Sequence, residues 1–226
     1  VDVDLVGGRR LGGVGGRVFE RPPVLREVGA GVSLWPNAMA ALREIGLFDV
    51  VLGNHEPLQE IVIRRRNGTL LMRLDDVGKR DHPAICVHRA FLQRALADRL
   101  DPSRLHLGRR LVAMEDGLEG VTARFQDGSR SEGVLLLACD GVHSTVRGLL
   151  HGAGPPVDRG YRIWRSVARL ELSHGLWGKS TEWWGPGRRF GILPGDSETL
   201  YWYAADSTRQ EPGTSTDPSE PSTLFR

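Results

Sequence analysis

The chain has 226 residues, of which 40% are hydrophobic and 26% are charged, as in an ordinary soluble globular protein. Its 30 basic and 28 acidic residues are interspersed and leave a formal net charge of +2, so the charge pattern offers no surface for nucleic acid. No stretch approaches the roughly 20 apolar residues of a membrane span. Cys86 and Cys139 lie in apolar runs, which favours two buried thiols in a cytoplasmic protein over a disulfide. His88 and His143 have no partner at metal-ligand spacing, so we expect no metal site.

A glycine-rich segment between two short strands opens the chain. Val1–Val6 is β-like and ends at Gly7-Gly8, and Arg17–Glu20 is a second strand that ends on an acid. This order is typical of dinucleotide sites, in which glycines let the backbone approach the pyrophosphate and the acid binds a ribose. However, Glu20 follows Gly8 by 12 residues, whereas the fingerprint expects about 20. The segment by itself therefore indicates a loop without a ligand as strongly as a cofactor site.

The next three elements have clear local signals. Pro36–Ile45 has helical spacing, with a proline in the first turn and Gly46 as a stop. Ile61–Leu74 predicts a hairpin, because two β-rich runs flank Asn67-Gly68. A second helix is predicted over about Arg89–Leu100, with its apolar side chains on one face.

The region from Leu105 to Ala138 is predicted to form strands with turns at Asp116-Gly117 and Asp127-Gly128. Its last run, Val134–Ala138, is continuously apolar, which predicts a central strand covered on both faces. A short helix over about Ser144–Leu150 should follow.

The sequence changes character after Pro155-Pro156. Tyr161–Leu172, Arg189–Leu193 and Thr199–Ala204 are β-like, rich in Trp and Tyr, and separated by Gly and Pro. We expect the beginning of a second, antiparallel domain here. From Ser207 the chain is rich in Ser, Thr, Pro and Glu, which predicts a disordered tail or linker.

The most informative motif is L-L-L-A-C-D-G-V-H-S-T-V-R at Leu135–Arg147. The apolar run delivers Asp140-Gly141 to the carboxyl end of a predicted strand, where open α/β sheets bind their ligands. Asp140 can accept hydrogen bonds from ribose or ribityl hydroxyls, and Gly141 permits a close approach. The alternative is a plain strand-turn-helix in which Asp140 only caps the helix.

The stretch A-C-D-G-V-H-S-T-V-R resembles the Asp-Gly motif of the para-hydroxybenzoate-hydroxylase-like flavin monooxygenases. Glu20–Leu47, Val87–Leu96 and Gly160–Val167 are similar to further segments of that family, in the same order and spacing. The nearest subgroup is the salicylate-hydroxylase, urate-hydroxylase and zeaxanthin-epoxidase type. The resemblance covers about Val1–Ala204 and implies the N-terminal part of such a protein.

The resemblance implies an α/β fold, with a Rossmann-like FAD-binding domain and part of an antiparallel β-sheet substrate domain. The expected boundaries are residues 1–158 for the FAD-binding domain, 159–206 for the partial substrate domain and 207–226 for the tail. Within the first of these, residues 59–85 are expected to contribute a hairpin to the substrate domain.

The resemblance also implies the site residues. It assigns FAD binding to seven positions, namely Gly7, Gly8, Glu20, Arg21, Arg89, Asp140 and Gly141. Arg189 and Tyr201 would contact the substrate from substrate-domain strands, although core or surface positions are equally compatible until the register is known. No catalytic residue is identified.

The implied function is FAD-dependent hydroxylation of an aromatic or heteroaromatic small molecule with NAD(P)H and O2. The shortened glycine segment and the absence of the family's later Gly-Asp motif keep an alternative open, a truncated, non-catalytic flavoprotein remnant. A dehydrogenase that uses only a nicotinamide cofactor is a third reading, and Asp140-Gly141 argues against it. The sequence predicts no particular substrate, no preference for NADH over NADPH and no oligomeric state.

Overall fold

A computed structural model describes residues 16–25, 31–77, 81–118, 120–169, 176–195 and 198–207. The chain divides into two compact units, the first comprising Val1–Glu27 and Gln93–Val157 and the second Val28–Leu92 and Asp158–Arg226. The predicted strand Val1–Val6 and nearly all of the predicted tail lie outside the described residues. The domain boundaries inferred from the family resemblance stay a prediction.

The described ranges contain short helices interspersed among groups of strands. In order they are β1 (Val18–Phe19), β2 (Gly31–Leu34), α1 (Pro36–Glu44), α2 (Phe48–Leu52), β3 (Glu60–Arg65), β4 (Leu70–Asp75), β5 (Ile85–His88), α3 (Arg89–Ala97), β6 (Leu105–His106), β7 (Leu111–Gly117), β8 (Gly120–Phe125), β9 (Arg130–Gly133), α4 (Thr145–His151), β10 (Arg162–Arg169), β11 (Lys179–Gly185), β12 (Arg188–Pro194) and β13 (Thr199–Asp206). None of these helices is both long and apolar enough to cross a bilayer.

In the first unit, β1 pairs in parallel with β6, and β7, β8 and β9 form an antiparallel meander. The predicted turn at Asp127-Gly128 is confirmed, and Gly128 has a φ of +83°. The turn predicted at Asp116-Gly117 falls later, because β7 continues through Gly117. The ring of Phe19 packs against the rings of His106 and Phe125, with centroids 5.0 and 4.7 Å away. Phe19 therefore links the β1–β6 pair to the β7–β8–β9 meander.

The prediction of a central strand at Val134–Ala138 is wrong. The chain leaves β9 at Gly133 and continues without regular structure to Gly141, and the side chains of Val134 and Leu135 are 87% and 60% exposed. An apolar run becomes a central strand only where strands pair with it on both sides. Among the described strands none pairs with this run. The apolar composition of the run does not determine which strands lie beside it.

The second unit is built on a six-stranded sheet in the order β10-β13-β12-β11-β3-β4. The predicted hairpin is confirmed as β3–β4, with Gly68 at a φ of +88°. The sheet is mixed rather than antiparallel throughout, because β3 pairs in parallel with β11. The sequence analysis did not predict β11, because the polar residues at its start hide the alternation of apolar and polar residues that marks a strand. It also did not predict the four-residue strands β2 and β5, which pair with each other.

The first two helices bury apolar side chains in the second unit. Helix α1 begins at Pro36, as predicted, and buries Met39 and Leu42. Its end is followed by Gly46 at a φ of +72°, a backbone conformation that favours glycine. The largest fully buried side chains belong to this unit and are Met39, Leu47, Leu58, Ile85, Val51, Val62 and Val87. Each contributes roughly 1.5–3 kcal/mol by leaving water.

The two cysteines differ, contrary to the prediction that both are buried. Both thiols are free, but Cys86 on β5 is buried and Cys139 is exposed because its apolar run forms no strand. Burial raises the pKa of Cys86 to about 12, against a smaller lowering by a hydrogen bond with Ser33. We expect a thiol reagent at pH 8 to modify Cys139 in the native protein, and Cys86 only after unfolding. Fast native modification of a Cys139→Ser variant would contradict this assignment.

Candidate functional site

A small pocket in the first unit is lined by Asp140 of the Asp-Gly motif. Side chains from the end of β1, from the start of β7, from β8 and from the approach to α4 surround it. The lining residues are Phe19, Arg21, Arg109, Arg110, Leu111, Phe125, Asp140, His143, Thr145 and Val146, and we refer to it as the Asp140 pocket. It brings together Arg21 and Asp140, two of the predicted cofactor-binding residues.

Asp140 holds the first turn of α4. Its Oδ2 accepts hydrogen bonds from the amides of Thr145 at 2.6 Å and Val146 at 3.1 Å. Partial burial would raise the pKa of Asp140, but hydrogen bonds from the Ser144 side chain and from the Val146 and Thr145 amides outweigh it, so the pKa lies below its ordinary value. The carboxylate is therefore ionised at neutral pH and can accept further hydrogen bonds.

The residues that follow Asp140 fix the shape of the turn. Gly141 has a φ of +80°, a left-handed conformation that residues with a side chain rarely adopt. Ser144 is the N-cap of α4 and accepts from the Arg147 amide at 2.9 Å. The Arg147 guanidinium donates to the carbonyl of Val142 at 2.6 Å.

Glu20 lies at the end of β1, between two residues that line the Asp140 pocket. Its amide donates to the carbonyl of His106 and its carbonyl accepts from the Arg109 amide, at 2.9 and 2.8 Å. The Glu20 side chain is 2% exposed and does not itself line the pocket. Arg109 is held by Ser129 and by an ion pair with Asp127, so it supports the pocket wall.

Three other predicted cofactor residues are not brought to this pocket by the described structure. Gly7 and Gly8 lie outside the described residues. Arg89 is exposed at the first position of α3, where the Ala90 amide donates to Nδ1 of His88 at 3.3 Å. Its predicted role stays a prediction.

The strand register of the second unit places Arg189 and Tyr201 on the same face of the six-stranded sheet. Arg189 and Leu193 are four residues apart on β12, and Leu193 is the register partner of Tyr201 on β13. The same register adds Trp184, opposite Arg189, and Glu182 and Tyr203, both opposite Gly191. We call this surface the Arg189 face.

Arg189 is oriented by aromatic neighbours. Its Nη2 donates to the Tyr161 hydroxyl at 2.6 Å, and its Cζ lies 5.9 Å from the ring centroids of both Tyr161 and Trp184. The hydrogen bond to Tyr161 raises the pKa of Arg189 above its ordinary value, so the guanidinium stays charged. Exposed cation–π contacts of this kind contribute about 0.5–1 kcal/mol each.

A carboxylate and a second tyrosine complete the Arg189 face. Glu182 accepts from the Trp184 indole nitrogen at 2.6 Å. Burial, followed by a hydrogen bond to Glu182, raises the pKa of Tyr203 well above its ordinary value. Gly191 makes room for this arrangement, because a Cβ there would lie 2.2 Å from Cε1 of Tyr203. The sequence reasoning missed Tyr161, Glu182 and Tyr203, which only a knowledge of the strand register could have placed beside Arg189.

Tyr201 occupies the interior end of this face and is 4% exposed. Cβ atoms at Gly31 and Gly195 would lie 2.4 and 2.3 Å from its ring, so both positions require glycine for this packing. The His88 ring is tilted against it at a centroid distance of 6.2 Å. Within the described ranges no three His, Cys, Asp or Glu side chains are grouped as they would be to hold a metal ion.

Comparisons with known proteins relate most of the chain to flavin enzymes. No protein-family model matches it. It is 34% identical over 212 residues to the aurachin C monooxygenase/isomerase of Stigmatella aurantiaca, covering 88% of this chain and 54% of that protein. Klebsiella pneumoniae HpxO, solved with FAD and uric acid, superposes with a TM-score of 0.72 at 27% identity over 86% of this chain and 51% of that one.

The chain is homologous to the FAD-dependent aromatic-ring monooxygenases over most of its length. The predicted fold class, α/β with a Rossmann-like FAD-binding domain and part of a sheet domain, is confirmed by this similarity. A further relative, the 2-heptyl-3-hydroxy-4(1H)-quinolone synthase of Pseudomonas aeruginosa, is 29% identical over 202 residues, covering 88% of this chain and 52% of that protein. The chain spans about half the length of the curated relatives it matches.

We expect Asp140 to have a structural effect that is separable from any role in cofactor binding. Asp140→Ala removes the acceptor for two α4 amides and should lower the free energy of unfolding of the first unit by about 1 kcal/mol. Asp140→Asn should retain most of that cap, since asparagine is an equally good cap residue. Hydrogen exchange of the α4 amides measures both.

The pH dependence gives the control for this prediction. Because the pKa of Asp140 is lowered in the folded state, its charge stabilises the protein above the ordinary aspartate pKa of about 3.9. That contribution is lost as the pH falls through the lowered value. The difference in stability between wild type and Asp140→Asn should therefore be greatest near neutral pH and shrink in acid. A difference that grows in acid would contradict the assignment.

Proposed function

We propose that the Asp140 pocket binds part of FAD, and that the FAD-loaded protein hydroxylates an aromatic or heteroaromatic small molecule with NAD(P)H and O2. The observation that carries the proposal is the meeting of an ionised carboxylate, Asp140, with Arg21 in one pocket at the end of β1. A carboxylate accepts hydrogen bonds from sugar hydroxyls, and a guanidinium donates to phosphate or adenine.

Several residues in and beside this pocket have the chemistry that FAD binding requires. Gly141, in its left-handed conformation, leaves the backbone of the turn open to close approach. Asp140 would accept from a ribityl or ribose hydroxyl, and Glu20 would hold the adenosine ribose from the tip of β1. Gly7 and Gly8 would face the pyrophosphate, and the role in FAD binding that the family resemblance implies for Arg89 is retained as part of the proposal.

Bound FAD supplies the oxygen-transfer chemistry, and the protein positions the substrate. On the Arg189 face, the guanidinium would donate to an oxygen substituent of the substrate ring, and the aromatic side chains would pack on its faces. Tyr201 would support this face from the interior.

The names of related proteins point to fused nitrogen heterocycles as the substrate class. One relative is named for a 4(1H)-quinolone, and one solved neighbour holds uric acid. Both molecules are bicyclic and have carbonyl groups whose oxygens can accept hydrogen bonds from an arginine. Relatedness to such enzymes over 88% of the chain favours the enzyme over a non-catalytic remnant. Free cysteines fit a cytoplasmic location.

The test begins with flavin. The purified protein should be yellow, release FAD on denaturation, and consume O2 and NADH or NADPH when a 4-quinolone, urate or salicylate is added. With ¹⁸O2, the product should contain one labelled oxygen. Asp140→Ala should bind FAD about 10–100-fold more weakly, since a hydrogen bond to a charged group contributes about 1.5–3 kcal/mol.

Two results would overturn the proposal. Failure to bind FAD at any tested concentration would support the remnant. Oxidation of NAD(P)H by protein free of flavin would support the dehydrogenase. NADH and NADPH are assayed separately, because the described residues do not distinguish them.

A further inference from the structure

An open cavity of about 650 Å³ lies in the second unit, where the β3–β4 turn meets the β11–β12 turn. Its lining residues are Arg65, Arg66, Asn67, Leu71, Trp184, Gly185 and Pro186, and we call it the Trp184 cavity. None of these residues is acidic. The two strand turns are joined by a hydrogen bond from the Arg66 amide to the Trp184 carbonyl at 2.9 Å, so the walls are held together.

The Trp184 cavity is continuous with the Arg189 face. Trp184 is a register partner of Arg189, and its ring lies 5.9 Å from the Arg189 guanidinium. The hydrogen bond from its indole nitrogen to Glu182 fixes the ring. One rigid aromatic side chain therefore borders both the proposed ring-binding surface and the cavity.

The surface beside the cavity is apolar to a degree that is unusual for an exposed strand. On β4, Leu71, Met72 and Leu74 are 45%, 41% and 40% exposed, and Trp184 is 40% exposed. Met72 and Leu74 pair with Ile63 and Ile61, on the same side of the sheet as Trp184. Contiguous exposed apolar surface marks a binding site more often than an ordinary solvated face.

We propose that the Trp184 cavity holds an apolar tail of the substrate, an alkyl chain attached to the ring that binds at Arg189. This proposal rests on the proposed function. The tail would cross the Trp184 indole and lie against Leu71 and the adjoining β4 side chains. The methylene stems of Arg65 and Arg66 would cover it while their charged groups stay in water. Continuity with the Arg189 face favours a substrate tail over a protein partner.

A series of 4-quinolones with 2-methyl, 2-pentyl, 2-heptyl and 2-nonyl substituents tests the proposal in the FAD-loaded protein. Dissociation constants come from calorimetry, and kcat/KM from product formation. We expect affinity to rise about twofold per added methylene, below the roughly fourfold expected of complete burial. The 2-methyl compound should bind weakly and still be hydroxylated.

Leu71→Asp should abolish the dependence on chain length and leave the 2-methyl compound unchanged, because only a tail reaches Leu71. Leu118→Asp is the matched control, since Leu118 is a fully exposed leucine of the first unit and should keep the wild-type slope. If Leu71→Asp does not fold, Leu71→Thr replaces it, since threonine suits a strand.

An affinity that is independent of chain length, or a slope that Leu71→Asp leaves intact, would overturn the proposal. So would failure of every compound to bind. If Leu71→Asp only converts a dimer to a monomer in sedimentation, the surface binds a second copy instead. Chain-length-dependent binding without any hydroxylated product would refute the proposed function and leave the tail site standing.

Discussion

Arg189→Met is expected to lower kcat/KM for a heteroaromatic substrate by about 10–100-fold, without loss of FAD. The reason is that a hydrogen bond to a charged group contributes about 1.5–3 kcal/mol, and methionine keeps the length of the side chain but none of its donors. The side chain is exposed, so the free energy of unfolding should fall by no more than about 1–2 kcal/mol, the contribution of its two cation–π contacts. Steady-state kinetics with a fixed flavin content measures the effect.

Two variants make the Arg189 result specific. Tyr161→Phe removes the hydroxyl that accepts from Arg189 at 2.6 Å and should have a smaller effect, because the guanidinium itself remains. Arg73→Met is the matched control: Arg73 is an exposed arginine of the same sheet whose register places it on the opposite face. Equal losses of kcat/KM in Arg73→Met and Arg189→Met would show a general effect of removing a positive charge. Full activity of Arg189→Met would exclude Arg189 from the substrate site.

The elements that could be predicted from sequence are those whose signal is local. Pro36 at the start of α1 and Asn67-Gly68 in the β3–β4 turn each determine the backbone by their own conformational limits. The same holds for the turn at Asp140-Gly141, whose glycine has a positive φ. Such signals do not depend on which segments lie nearby in the folded chain.

The features that could not be predicted depend on which strands pair with each other in the folded chain. The apolar run at Val134–Ala138 has the composition of a central strand, yet among the described strands none pairs with it. The parallel pairing of β3 with β11 joins segments more than a hundred residues apart. The Arg189 face has the same origin, because Glu182 and Tyr203 meet only across Gly191 and only in the observed register. A shift by one residue would move each of these side chains to the other face.

At Asp140 a helix-capping role and a ligand-binding role are compatible with each other. The carboxylate caps α4, which is the plain alternative that the sequence left open, and it also lines the pocket with Arg21. The hydrogen bonds of the cap lower the pKa of the carboxyl and keep it ionised. The hydrogen bonds of the cap thus keep Asp140 in the ionised form that would accept a hydrogen bond from a hydroxyl of FAD.

Tyr201→Ala is expected to lower the free energy of unfolding of the second unit by about 3–5 kcal/mol, as for other large buried aromatic side chains. Gly31→Ala should cost about 1–3 kcal/mol, because its new Cβ would lie 2.4 Å from the Tyr201 ring. In the Tyr201→Ala background the cost of Gly31→Ala should largely vanish, since the atoms it meets are gone. Tryptophan fluorescence in urea isolates this unit, which contains all six tryptophans of the chain.

The Gly31 and Tyr201 cycle also separates packing from substrate contact at Tyr201. Tyr201→Phe keeps the ring over Gly31 and Gly195 and should retain most of the stability. If Tyr201 acts on the substrate through its hydroxyl, Tyr201→Phe loses turnover while staying folded. If it only supports the Arg189 face, turnover survives in Tyr201→Phe and fails in Tyr201→Ala. Additive costs of Gly31→Ala and Tyr201→Ala would contradict the packing itself, because residues in direct contact should show a coupling energy of about 0.5–3 kcal/mol.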